Sequence, residues 1–372
     1  MSGVASEQVW ATKPLVEVAT LQRGHDLPVQ DRTAGPHPIF AANGPVGFHE
    51  CAKCEGPGVV TGRSGTIGKV HFVEGPYWPL NTSLYVTDFH GNDPKWVYYM
   101  LKSFGLERFA QGAGVPTLNR NLVHDEPIRV PPVTEQRRIA AILDQADALR
   151  AKRREALAQL GSLTQSIFIE MFGDPVTNER NWPTETVSNL CRLVRGSSPR
   201  PQGDPRYFGG PVPRLMIADI TRDGWLVTPR IDSLTLEGAA KSRPVPAGTV
   251  VMAVSGNIGL VSRLAVDACV HDGFVAFTNL NEATCDAGYF LALLHMSKAA
   301  HEKSKAGAIF INLTTDDIKA MPIPTPPLTL QQTFATRIQA VESLRASHRA
   351  ALAESDALFA SLQHRAFAGQ LS

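Results

Sequence analysis

No apolar run in this sequence approaches the roughly 18 residues that a bilayer-crossing helix needs, so a helical membrane protein is excluded. Positive charge has no surplus either. Lys+Arg number 36 and Asp+Glu 35, a formal net charge of +1. That excludes a broadly basic arm as the main grip on nucleic acid, while leaving local basic faces open. Cysteine is sparse and odd in number, 5 among 372 residues, which is not a disulfide framework. The first residues, MSGVASEQVWATKP, lack a basic region followed by an apolar one, so no secretory leader and a cytoplasmic location are expected. The chain is 43% hydrophobic and 19% charged, enough to fill the cores of about two or three domains.

Catalytic motifs are missing too. Gly62-Arg63-Ser64-Gly65-Thr66-Ile67-Gly68-Lys69-Val70 lacks the phosphate-loop spacing, and Val70 stands where a hydroxyl must reach magnesium. A tight hairpin turn explains these glycines better. Cys51-Ala52-Lys53-Cys54 is half of a zinc site, with His49 and His71 nearby but no second pair, and reads as loop cysteines. There is no Gly-x-Ser-x-Gly elbow, no His-Glu-x-x-His, no dinucleotide fingerprint and no Asn-Pro-Pro-aromatic tetrapeptide. A binding or assembly protein is expected, without catalytic or metal-ligating residues of its own.

What the chain does have is a copy of itself. Val59–Val70 and Val250–Val261 each read strand, turn, strand around Ser-Gly-x-Ile-Gly, at an offset of 191 residues. Ala113-Gly114 to Leu118-Asn119 resembles Ala306-Gly307 to Ile311-Asn312, and Pro131-Pro132 matches Pro326-Pro327. Leu21-Gln22-Arg23-Gly24 has its counterpart in Leu193-Val194-Arg195-Gly196. Two copies are too few for a solenoid. They imply two similar α+β units, each a mainly antiparallel sheet with short helices near 95–109 and 286–298.

Each unit is followed by a long helix. In the first, Ile139, Ile142, Ala146, Leu149, Leu160, Leu163 and Ile167 follow coiled-coil spacing, with Arg153 filling a gap. The second carries Phe334, Val341, Leu344, Leu358 and Leu362 at corresponding places, with His348 matching Arg153 and Ile338 beside an off-pattern Arg337. Each helix is expected to run about 35 residues, roughly 50 Å. The two are expected to pair antiparallel, relating the units by an approximate twofold. The expected boundaries are 1–133, 134–173, 174–327 and 328–372.

The layout resembles the DNA specificity subunit of type I restriction–modification systems. The marks are Pro131-Pro132-Val133-Thr134-Glu135-Gln136 and Pro326-Pro327-Leu328-Thr329-Leu330-Gln331, each opening a long helix, with Met171-Phe172-Gly173-Asp174-Pro175 closing the first. Leu330 in place of Glu135 is the second copy's departure. The resemblance covers nearly the whole chain. It implies two target recognition domains, each reading half of a split site in double-stranded DNA, separated by the coiled coil. It also implies two docked methyltransferase subunits that use S-adenosylmethionine to methylate adenine. Restriction and translocase subunits using ATP and magnesium could join them, in a phage-defence role.

Residues 1–133 hold 11 Lys+Arg and 12 Asp+Glu, and residues 174–327 hold 15 of each, so readout must rest on selected side chains. Candidates in polar loops are Arg23, Asn43, Arg63, Lys69, Asn119 and Arg120 in the first unit. In the second they are Arg195, Arg214, Arg222, Lys241, Asn257 and Asn312. The run Arg150, Lys152, Arg153, Arg154 reads as a solvated face that could meet spacer phosphates. A coiled-coil adaptor that joins two partners without touching DNA is the competing reading.

Overall fold

The computed structural model describes residues 10–112, 114–303 and 314–371. Asn312 and the Ala306–Asn312 segment lie outside the described residues. The chain divides into two compact units: residues 1–154 with 350–372, and residues 155–349.

The first unit contains β1 (Ala11–Pro14), β2 (Thr20–Arg23), β3 (His37–Ala41), β4 (Gly44–His49), β5 (Gly58–Gly62), β6 (Val70–Val73), β7 (Trp78–Pro79) and β8 (Ser83–Asp88). Helix α1 (Pro94–Ser103), the short β9 (Ala110–Gln111) and β10 (Thr117–Leu118), α2 (Asn121–His124) and β11 (Pro127–Val130) follow. Next comes the long α3 (Val133–Phe172), whose first part belongs to this unit. The strands form a four-stranded sheet, β2-β8-β5-β6, a three-stranded sheet, β4-β3-β7, and the pairs β1-β11 and β9-β10.

The second unit repeats the plan. It contains β12 (Thr184–Thr186), α4 (Val187–Leu190), β13 (Arg192–Arg195), β14 (Phe208–Leu215), α5 (Ile217–Asp223), β15 (Leu226–Val227), β16 (Asp232–Leu234), α6 (Leu236–Lys241) and β17 (Pro244–Val245). Then come β18 (Val250–Ala253), β19 (Val261–Leu264), β20 (Ala268–Val270), β21 (Phe274–Thr278), α7 (Ala287–Lys303), α8 (Thr315–Ala320), β22 (Pro322–Pro324) and α9 (Leu328–Phe367), whose residues from 350 onward belong to the first unit. Its main sheet is β13-β21-β18-β19-β15, the same order as β2-β8-β5-β6 with one strand added, and β12-β22 echoes β1-β11. Pairing is mainly antiparallel; β3-β7, β14-β20 and β15-β19 are parallel.

The repeated sequences do repeated physical work. In both copies of Ser-Gly-x-Ile-Gly, the two glycines take positive φ: Gly65 and Gly68, then Gly256 and Gly259. The motif is a tight turn, as its glycine spacing suggests. Gly24 and Gly196 end β2 and β13 under an approaching backbone. A Cβ would lie 2.2 Å from the Leu80 carbonyl oxygen at Gly24, and 2.0 Å from that of His271 at Gly196.

The Pro-Pro-x-x-x-Gln element is a buried clamp. Gln136 accepts a hydrogen bond from the Asp93 amide and donates to the Pro131 carbonyl and to Asn92 Oδ1. Gln331 accepts from the Asp286 amide and donates to the Pro326 and Thr284 carbonyls. Each glutamine ties the start of a long helix to the start of its unit's own helix, α1 or α7. Glu135 instead pairs on the surface with Arg138, so Leu330 in its place leaves the second clamp intact.

Both long helices run 40 residues, about 60 Å. Within each unit their segments pack antiparallel. In the first unit, Arg138 near the start of α3 reaches the Leu371 carbonyl just beyond α9, and Arg150 meets Asp356. In the second, Phe172 near the end of α3 packs on Phe334 near the start of α9.

The buried line through the helices differs from the simple heptad. Ile139 and Phe334 are fully buried, Ile142, Ala146, Ile167 and Leu362 pack at the core margin, and Leu160 and Val341 are partly buried. Leu149, Leu163, Leu344 and Leu358 are instead exposed at 58%, 43%, 48% and 57%. Leu143, Phe168, Ile338 and Phe359 fill the interior. The shift arises because the helix ends pack on their own unit's core as well as on the other helix, while the middle turns polar side chains inward. Arg153 Nε and His348 Nδ1, which match in the expected seam, are both buried without a hydrogen-bond partner among the described residues. Arg150 and Arg154 are held by Asp356 rather than forming a free basic face.

The foreseen 95–109 helix ends at Ser103, because Gly105 takes φ +72° and a separate 3-10 turn, Leu106–Phe109, follows. Among the described residues, no helix is long and apolar enough to cross a membrane.

Candidate nucleic-acid interface

Antiparallel pairing brings four chain segments to one edge of each main sheet. In the first unit, the end of β2, the start of β8, the end of β5 and the start of β6 meet there, since Arg23 pairs with Leu84, Gly62 with Ser83 and Thr61 with Val70. Arg23 is therefore near Arg63 although 40 positions separate them in sequence. Asp26 and Asn81 join them: Arg23 pairs with Asp26 at 3.3 Å, Asn81 donates to Asp26, and Arg63 donates to the Asn81 carbonyl at 3.1 Å.

Lys69 donates to Asn43 Oδ1 at 2.6 Å, joining the β5–β6 turn to the β3–β4 turn. The β10 strand adds its end to the same edge, because the Leu118 amide bonds the Arg63 carbonyl at 2.8 Å. Asn119 follows, exposed, and accepts from the Asn121 amide. Arg120 lies to the side, donating to the Leu21 carbonyl at 3.3 Å. Five of the six first-unit candidates thus share one loop edge.

In the second unit, Arg195 ends β13 and Asn257 sits in the β18–β19 turn, at the corresponding edge. Asn257 accepts from Lys298 Nζ at 2.7 Å, as Asn43 does from Lys69. Lys241 lies on α6, against Tyr207 and Glu237. Arg222 lies on α5, saturated by Asp219, Asp223 and the Thr228 carbonyl.

Arg214 departs from expectation. It is 5% exposed, gripped by Asp232 and Ser198 inside the unit, and is not a surface reader. Burial, together with the Arg214 charge, lowers the pKa of neighbouring His271, keeping it neutral. Ser198 also donates to Asp272 at 2.7 Å, which holds that carboxyl below its ordinary range.

Sequence reading missed Asp26, Asn81, Ser198, Asp272 and Lys298 at these edges. None has a local pattern; tertiary packing gathers them. Cys51 is exposed and Cys54 is bridged to Tyr77, with burial raising its thiol pKa. Among the described residues, no group of three or more His, Cys, Asp or Glu is arranged to hold a metal ion.

The sequence pattern of the type I restriction modification DNA specificity domain matches residues 7–159 and again residues 179–354. The chain belongs to that family. It is 24% identical over 357 residues to a putative type I restriction enzyme specificity subunit of Haemophilus influenzae, covering 91% of this chain and 89% of that one. It is 21% identical over 305 residues to the putative MjaX specificity subunit of Methanocaldococcus jannaschii, covering 75% and 69%. The fold matches the crystal structure of the type I restriction–modification S subunit from M. genitalium with a TM-score of 0.66, at 14% identity over 98% of both chains. As a specificity subunit, the chain has a DNA-recognition role rather than a catalytic one, in a complex with other restriction–modification subunits.

Proposed function

We propose that each unit of this specificity subunit reads one half of a split DNA site, and that the paired helices set the spacing between the halves. One observation carries the reading. The same four-strand frame occurs twice, in the same order, with different side chains at its loop edge. A shared frame with divergent edges suits two half-sites of different sequence. Arg23, Arg63, Lys69 and Asn43 are the readers of the first half; Arg195, Asn257 and Lys298 are those of the second. Near-neutral units grip DNA weakly by charge alone, so base-edge contacts and the partners' own contacts supply the remainder.

The helices also dock two methyltransferase subunits in this proposal. The exposed leucines support it. Leu149 and Leu358 flank the Arg150–Asp356 ion pair in the first unit, and Leu344 and Leu163 are their counterparts, 195 residues away along the sequence, in the second. Two equivalent apolar spots suit two copies of one partner. S-adenosylmethionine would act in those subunits, and ATP with magnesium in a restriction subunit.

The test is single-molecule methylome sequencing of a host expressing this chain with its neighbouring methyltransferase. N6-methyladenine confined to one split motif and lost on deleting this chain is expected. Exchanging residues 1–133 for another recognition unit should change one half of the motif. Methylation unaffected by deletion would favour the adaptor that reads no DNA.

A further inference from the structure

The second unit contains a cleft of about 650 Å³ between α7, the β15–β19 side of the sheet and α9. Its apolar wall is Trp225, Leu291 and Ile338; Arg263, Gln339 and Arg349 supply polar groups. The volume is that of a small-molecule site.

The charges in the cleft are unevenly matched. Asp223 is bound by Arg222 and the Thr228 amide, and Glu342 by Arg345. Asp286 spends Oδ1 on the amides of Gly288 and Tyr289. Among the described residues, neither Arg263 nor Arg349 has a carboxylate partner. Arg349 reaches only the Asp223 carbonyl, at 3.0 Å. Two partly buried guanidiniums therefore face a cleft in which Asp223 and Glu342 are paired with other arginines and Asp286 Oδ1 caps the start of α7. An unpaired, half-desolvated cation favours an anion.

At the same place in the first unit the charges answer one another. Its corresponding cleft, about 540 Å³, is lined by Phe72, Lys95, Asp144 and Asp147. Lys95 pairs with Asp144 at 3.2 Å and covers the Phe72 ring at 4.1 Å, while Lys102 pairs with Asp147. In the repeat, Arg263 takes the position of Phe72, Gly288 that of Lys95 and Gln339 that of Asp144. The second unit has thus lost both the internal ammonium and the carboxylate it answered, and has gained a guanidinium on the strand.

We propose that the second unit's cleft binds a small organic anion, a carboxylate or phosphate carried on a planar apolar body. The guanidiniums of Arg263 and Arg349 hold the anion, and the Trp225–Leu291–Ile338 wall takes the body. The site is independent of DNA reading and is not duplicated in the first unit.

The experiment is a ligand-observed NMR titration of the full chain. The planar anions are naphthalene-2-carboxylate and adenosine 5′-monophosphate; naphthalene-2-carboxamide and adenosine are their neutral controls. We expect at least one anion to bind and its neutral control to bind tenfold or more weakly. Arg263→Gln should weaken the anion tenfold or more, since it removes a charge-assisted contact. Gly288→Lys, which restores the first unit's ammonium and fills the space, should abolish binding; Lys95→Gly should leave it unchanged. Thermal unfolding of each variant confirms that it folds. Absence of binding by both anions, equal binding of the neutral controls, or anion binding that survives both cleft variants would overturn the proposal. So would a loss of duplex-DNA affinity in Arg263→Gln without any anion binding, which would make Arg263 a DNA contact.

Discussion

The repeat makes one helix–helix ion pair conspicuous by its one-sidedness. In the first unit, Arg150 on α3 is 16% exposed, pairs with Asp147 on its own helix and crosses to Asp356 on α9, which Arg154 also reaches. Shifting by the repeat offset turns Arg150 into Arg345 and Asp147 into Glu342, and that pair is present. The counterpart of Asp356 is Gly161. The antiparallel register of the second unit, set by Phe172 on Phe334 and by Met171 near Arg337, brings Gly161 opposite Arg345. Among the described residues, Arg345 Nε is buried there without a hydrogen-bond partner, and a Cβ built on Gly161 meets nothing within 4 Å.

Gly161→Asp should therefore stabilise the second unit. Replacing a helical glycine by aspartate recovers about 0.3 kcal/mol of helix propensity. A pair with a mostly buried guanidinium adds about 1 kcal/mol, at the upper end of the range for exposed pairs. The total of about 1–1.5 kcal/mol corresponds to roughly 3–5 °C in the unfolding midpoint of a unit this size. Two carboxylates around one arginine are tolerated in the first unit, so Glu342 is no obstacle. The assay is calorimetric unfolding of a double-mutant cycle with Arg345→Gln. A coupling below about 0.3 kcal/mol, or a lowered midpoint in Gly161→Asp, would refute the register and the pairing derived from it.

Three further outcomes are expected. Gln136→Leu and Gln331→Leu should each cost about 2–4 kcal/mol in urea unfolding, because each strands a buried amide and carbonyl; a cost below 1 kcal/mol in either would mean that the clamp is not structural. Leu149→Glu combined with Leu344→Glu should abolish copurification of the methyltransferase while leaving stability within about 0.5 kcal/mol; unchanged copurification would place the docking elsewhere. Burial lowers the pKa of His71 and His271 from the ordinary 6.5. The unfolded chain therefore takes up protons first, and stability should fall as pH drops below about 6.5, with a shallower fall when both are replaced by Asn. An unaltered slope in that double variant would assign the acid sensitivity to other groups.

Leucines point outward at Leu149, Leu163, Leu344 and Leu358 while Arg150, Arg153, Arg345 and His348 turn inward. A heptad reading assigns the apolar residues to the inside, because it weighs hydrophobicity and cannot see a partner acid such as Asp356 on the other helix. It also misses Leu143 and Phe359, which serve the first unit's core and the helix pair together. Arg214 fails for a related reason: its sequence neighbourhood is polar, and only β14's pairing with β16 brings Asp232 against it.

The sequence alone was sufficient for the duplication, the two long helices, the tight glycine turns and the lack of catalytic motifs. These are local or periodic properties, written in residues close together along the chain or at one constant offset. Tertiary packing decided what the offset could not: that Arg23, Arg63 and Asn81 share an edge, that Gln136 and Gln331 are buried clamps, and that Arg263 has no carboxylate partner among the described residues. Those facts depend on which distant groups approach and which are shielded from water. Burial and charge pairing are set by that approach, so they exist only once the chain has folded.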